Sequence, residues 1–213
     1  MPTNVYGLGL NDLVTGVIVP QTHTMNGMLI TASYTPNLDT DHFVSTVRGN
    51  EVAASGSYAA NGSAIAITAS YIAAASATAR ANTTAYAVGE IVRPATTNGH
   101  VWRCVVAGTS TSAEPGAMTT FSGAAGQSVT DGTVTWAECG RGYVKIAPTP
   151  ASVAWTSATI TARYLVIADF NPGTDATRPM LILIDFGSNQ TSTAGTFTVN
   201  FDSQGFLLVP IPS

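Results

Sequence analysis

The sequence predicts a mainly β protein: a β-sandwich or barrel-like outer domain interrupted by a small inserted β module. Three observations carry this. Short apolar or alternating runs recur between turn clusters, the spacing of sandwich and barrel strands. Charged residues make up only 9% of the 213 residues, against roughly 25% in ordinary domains. Threonine, serine, alanine and glycine take their places, and threonine suits a pleated strand. Last, Ala85–Gly140 holds two of the three tryptophans and both cysteines between turn signals of its own, while the flanks share a different texture.

In chain order, residues 1–13 are polar, with Gly7, Gly9 and Asn11, and read as an arm or extended edge. Val14–Val19 is a short apolar run stopped by Pro20. Thr24–Tyr34 is a strand, with Gly27 at a bulge or close approach. After a Pro36–Asn37 turn, Asp39 or Thr40 caps a short helix running through Val47 and ended by Gly49. Ala64–Ile72 alternates as a half-buried strand does. Ala73–Thr84 suits either a short helix, on alanine propensity, or a junction into the module.

Within the module the strand candidates are Ile91–Arg93, Val101–Val106 and Thr133–Ala137. Asn98–Gly99 is a hairpin signal, because both residues tolerate positive φ, and Asp131–Gly132 is a second tight turn. Gly108–Gly126 is a long loop. Beyond Gly140, strands are predicted at Tyr143–Ile146, Ala158–Phe170, Met180–Phe186, Thr196–Phe201 and Phe206–Ile211. Met180–Phe186 is apolar enough to be a strand buried on both faces, and Pro210 gives the last strand an edge position. The expected domains are therefore 1–75 plus 143–213, and an inserted 80–142.

The apolar fraction of 45% supports a core, and the net charge is −4, with an isoelectric point near 5.1. Scattered cations on an acidic chain argue against nucleic acid, which needs clustered Lys and Arg. No apolar run reaches the ~20 residues that span a bilayer, so no membrane insertion is expected. The N-terminal stretch lacks a basic start followed by an apolar run, so no secretory signal is visible, and synthesis in the cytoplasm is expected. A surface so poor in charge suits a subunit of a permanent assembly; a neutral secreted β protein is the other reading.

Nothing in the sequence spells out catalysis. His23, His42 and His100 lie far apart, and no G-x-S-x-G elbow accompanies the many serines; the chain reads as a non-enzyme with no catalytic residues and no cofactor. Asp39, Asp41 and Glu51 offer oxygen ligands for calcium without the EF-hand pattern, and capping explains Asp39 equally well, so no metal site is assigned. Cys104 and Cys139 lie beside tryptophans on candidate strands. They form a disulfide if those strands bring their Cα atoms within ~7 Å, or remain free thiols as a cytosolic origin favours. Two cysteines without histidine spacing do not make a zinc site.

Two resemblances sharpen this. The central module resembles small carbohydrate-binding modules of the chitin-binding type found in bacteriophage structural proteins. The matching residues are Tyr86 and Gly89 in AYAVGEIV, Asn98–Gly99 and Trp102 in NGHVWRC, Gly108 and Glu114–Pro115 in AGTSTSAEP, and Asp131–Gly132 and Trp136 in DGTVTW. The resemblance implies exposed aromatics that stack on sugar rings, for which Tyr86, Trp102, Phe121 and Trp136 are the candidates. The alternative for Trp102 and Trp136 is a place in the core, since a small module has few large apolar groups to spare.

The flanks are similar to a family of tailed-phage virion proteins encoded with the head genes, through NEVAASGSYAANGSAIA, VAWTSATITARYLVIADF, LILIDFG and STAGTFTVNF. That resemblance implies a virion structural protein decorating the capsid surface, partnered by the major capsid protein and by further copies of itself, with the module presenting a glycan-binding face. A tail or fibre adhesin that binds a host surface glycan is the alternative.

Overall fold

A computed structural model describes residues 3–121 and 126–211. The protein is mainly β, with 49% of the described residues in strands and 11% in helices. In chain order its first elements are β1 (Thr3–Val5), α1 (Gly7–Thr15), β2 (Met25–Ile30), β3 (Ser63–Ala64) and β4 (Ala66–Ala73). The middle of the chain gives β5 (Ala85–Tyr86), β6 (Ile91–Val92), β7 (Val101–Val106), β8 (Gly108–Thr109), α2 (Gly116–Thr119), β9 (Ser128–Asp131) and β10 (Val134–Gly140). The last part gives β11 (Gly142–Thr149), β12 (Ser152–Asp169), β13 (Met180–Asn200) and β14 (Leu207–Ile211). Residues 122–125 of the expected Gly108–Gly126 loop lie outside the described residues.

Two compact units emerge. One takes the chain through Ala69 together with Ile146–Leu207, and the other takes Ser70–Lys145 and the segment from Leu208 on. The expected outer domain included the last strand. Leu208 instead packs with Ala74, Ile91, Val101 and Tyr143 of the second unit.

The first unit is an antiparallel sheet in the order β1-β13-β12-β2-β3. Its centre is the β12–β13 ribbon, which three separate sequence runs, Ala158–Phe170, Met180–Phe186 and Thr196–Phe201, had suggested only in pieces. The ribbon bends sharply in the middle. Register shifts interrupt it between Trp155 and Ala158, between Ala158 and Ile160, and between Ala162 and Tyr164. Ser157, Gly187 and Ala194 take positive φ nearby. Bulges bend and twist a strand in this way, and a bent strand can serve two layers. Both halves of the ribbon accordingly share one core. Trp155, Phe197 and Val199 from the distal half pack with Leu165, Leu181 and Ile184 from the proximal half.

On the other face of the sheet, Met28, Ile30, Val166, Met180 and Leu183 pack with Tyr6, Tyr34, Val44 and Val47. This covering on both sides is why Met180–Ile184 is apolar without a break. The result is sandwich-like, and among the described residues no sheet closes into a barrel.

Residues 7–15 are a helix rather than an arm. Gly9 permits it, because a Cβ there would sit 2.0 Å from the Met180 carbonyl oxygen. No side chain caps its N-terminus, and Gly16 closes it in the left-handed conformation, a common C-terminal stop. The expected helix through Val47 is two 3-10 turns, Val44–Thr46 and Arg48–Asn50. Asn37, not Asp39, caps the turn before them, its Oδ1 accepting the backbone N–H of Asp39 and Thr40.

The second unit is built on a sheet in the order β6-β7-β10-β9, beside the short pair β5-β8. Alternation divides its strands between two clusters. Val92, Trp102, Cys104, Val134 and Trp136 face one way, and Ile91, Val101 and Cys139 the other.

Candidate functional site

The four aromatic residues expected to stack on sugar do meet, but as core. Trp102 and Trp136 are 0% exposed and Phe121 is 8% exposed. Phe121 sets its edge against Trp102 at 5.2 Å between centroids. The half-buried Tyr86 does the same to Trp136 at 4.8 Å, and its hydroxyl accepts the backbone N–H of Ala81 at 2.7 Å. Stacking on a sugar needs an open ring face, and these rings face one another. The sugar-binding expectation at Trp102, Trp136 and Phe121 is corrected on that ground: a unit this small uses its largest apolar groups for packing.

What holds that core is a residue the sequence did not single out. Arg80 lies fully buried and donates from Nε and Nη2 to the two carboxylate oxygens of Asp131, at 2.9 and 2.8 Å. Asp131 also accepts from the Thr111 hydroxyl at 2.7 Å and from Trp136 Nε1 at 3.0 Å. Burial opposes ionisation of Asp131, but the Arg80 guanidinium, both Thr111 donors and the indole N–H outweigh it and hold the carboxyl well below the usual range. Asp131–Gly132 reads as a turn in sequence, and it is one: Asp131 and Val134 pair across it. Its second role, as the anchor for a buried arginine, leaves no local pattern.

The possible disulfide between Cys104 and Cys139 is also corrected: both are free thiols. Cys104 sits with the tryptophan cluster, while Cys139 packs on the opposite face of the sheet beside Val101 and Tyr143. Side chains on opposite faces cannot bridge. Burial pushes the Cys139 thiol up to about 12 and raises that of Cys104.

Each histidine has its own carboxylate. His23 Nδ1 meets Asp169 at 2.5 Å, His42 Nε2 meets Asp12 at 2.6 Å and His100 Nδ1 meets Glu138 at 2.8 Å. Asp39, Asp41 and Glu51 do not converge. Asp41 accepts from the Tyr34 hydroxyl and the Asn37 N–H, and Glu51 serves Tyr58, Asn61 and Arg48. Among the described residues no helix is long and apolar enough to cross a membrane.

Two uncharged surfaces of the first unit remain. The first is on α1 and the residues after it. Leu8, Val14 and Val17 are 38%, 79% and 53% exposed, and Asn11, Thr15 and Gly16 are exposed with them. Asp12, the only charged side chain before Asp39 in the sequence, is turned inward onto His42.

The second surface is the outer edge of β13. There β1 pairs only with Ile182, Leu183 and Ile184, and no described strand covers the edge from Asp185 to Asn200. The sequence between Asp185 and Asp202 carries no charge. A cleft of about 450 Å³ lies along this edge inside the bend. The half-buried Phe186 and the buried Phe197 and Val199 give it apolar walls, and Gln190, Thr196 and Thr198 give it polar ones.

Comparison of the chain with models of protein families, with curated proteins and with solved structures finds no match.

Proposed function

We propose that the protein is a structural component of a tailed-phage particle, one that decorates the capsid exterior and seats on the shell protein through its first unit. The second unit is then an accessory domain held together by its own aromatic and Arg80–Asp131 core. The observation that carries the reading is the exposure of three apolar side chains, Leu8 and Val14 on α1 and Val17 just after it, where the helix's one charged residue, Asp12, is turned inward. Exposed apolar side chains on a surface without charge are the composition of an interface centre. The sequence resemblance of the flanks to head-gene virion proteins supports the same class of partner, and so does the low overall charge.

The reading is tested by electron cryomicroscopy of the particle and by incorporation assays. The wild type is expected as density on the shell, and Val14→Lys with Leu8→Glu is expected to leave a folded protein that no longer incorporates. Density at the tail tip, or full incorporation of the folded double variant, overturns it.

A further inference from the structure

We infer that two copies of the chain pair through the open edge of β13, antiparallel about a two-fold axis at Thr198. The backbone directions come from one hydrogen bond. Phe201 donates its N–H to the Ala151 carbonyl at 2.9 Å, toward β12. Successive residues of a strand turn their backbone groups to opposite edges. Phe197 and Val199 therefore bond toward β12, where they pair with Trp155 and Val153 in unbroken register. Thr196, Thr198 and Asn200 present N–H and C=O to the open edge.

A two-fold axis at Thr198 uses all three. Thr198 meets its own copy, and Thr196 meets Asn200 of the second copy, so every pair is one whose backbone groups point at each other. Phe197 then falls opposite Val199 at the closely spaced positions between them, an aromatic–β-branched pair of the kind that favours cross-strand contact. Phe197 and Val199 belong to the core, so the added strand extends that core on one face while threonine and asparagine pair on the other. The segment is its own complement, which is what an isologous contact requires.

The chemistry of the edge points to the same occupant. Sheets protect exposed edges with lysine, proline or inward charges, and the run from Phe186 to Phe201 has none. The hydroxyls of Thr196 and Thr198 make no hydrogen bond within the described residues. A second copy brings no charge to this surface and supplies hydroxyl and amide partners at the matching positions. The cleft of about 450 Å³ beside Phe186 and Phe197 leaves room for the approaching side chains. This inference is independent of the capsid reading, since incorporation into particles and pairing in solution are measured separately.

Sedimentation of the full chain at about 50 μM tests it. The wild type is expected at twice the 21.8 kDa chain mass. Thr198→Lys and Thr198→Glu each place like charges face to face on the axis and are expected at the single-chain mass, with dissociation constants raised at least on the order of tenfold. An equimolar mixture of the two is expected to recover the double mass, because opposite charges then meet. Thr198→Val keeps shape and β preference and stays paired. Thr198 is exposed, and circular dichroism confirms that each variant is folded. A wild type at single-chain mass overturns the inference and leaves the edge to a foreign strand. So does a threefold mass, a double mass unaffected by Lys and Glu at 198, or a mixture that fails to recover it.

Discussion

Phe186 and Phe197 belong to the same strand, yet their ring centroids lie 6.2 Å apart. At ~3.3 Å per residue a straight strand would separate them by ~36 Å. The ribbon therefore folds over its own apolar face, and Phe197 closes the core with Trp155 at 6.3 Å. Truncating this ring removes the contact between the two layers. Phe197→Ala is expected to cost about 3–5 kcal/mol, read as a lower denaturation midpoint, and Phe186→Ala, only half-buried, is expected to cost less. Equal costs would mean that the fold-over is not what Phe197 stabilises.

The Arg80–Asp131 pair makes a second prediction. Their side chains are 1% and 0% exposed, and a buried pair that loses one partner leaves a charge without solvent. Arg80→Met is expected to destabilise the second unit by about 3–5 kcal/mol. Tryptophan fluorescence in a Trp155→Phe background reports Trp102 and Trp136 of that unit alone. An unchanged melt would show that Thr111 and Trp136 suffice to hold the carboxylate.

Acid titration follows from the same carboxylate. Asp131 is depressed in the folded protein and returns to ~3.9 on unfolding. Below that value the unfolded chain binds the extra proton, so stability rises with pH there. The contribution is fully present above about pH 4 and is lost as pH falls through the folded value. Asp175, held down chiefly by its hydrogen bond to Arg48, acts with the same sign in the first unit. Unfolding followed by Trp102 and Trp136 from pH 6 downward should show a slope below pH ~4 that Asp131→Asn flattens.

The thiols should be silent. With Cys104 buried and Cys139 pushed up to about 12, almost no thiolate exists at pH 8, and the thiolate is the reactive form. A chromogenic disulfide reagent is expected to label both cysteines in denaturant and neither within minutes in the native protein. Melting should be the same with and without reductant. Rapid native labelling, or a reductant-sensitive melt, would contradict this placement.

The parts that could be read from sequence were those with a local cause. Met180–Ile184 is apolar without interruption because both faces are covered, and Asp131–Gly132 turns because glycine takes the positive φ. What escaped was set by distant contact. Gly9 reads as flexibility until Met180 is seen against it. The β12–β13 bend needs Phe186 and Phe197 to find each other, and Arg80 sits in an alanine- and threonine-rich stretch with no local sign of Asp131. The aromatic module misled because tryptophan and tyrosine at these spacings serve a small core as well as a binding face.

The division of the chain has a kinetic side. The first unit needs residues on both sides of the second, since Ile146–Leu207 supply β12 and β13. During synthesis most of the second unit emerges before that ribbon does, so it can fold while the first still lacks its central strands. Once folded, it replaces a long flexible loop with a compact one and lowers the entropy of closing the first unit's sheet. Far from burdening its host, the inserted segment would then speed the assembly of the strands that flank it.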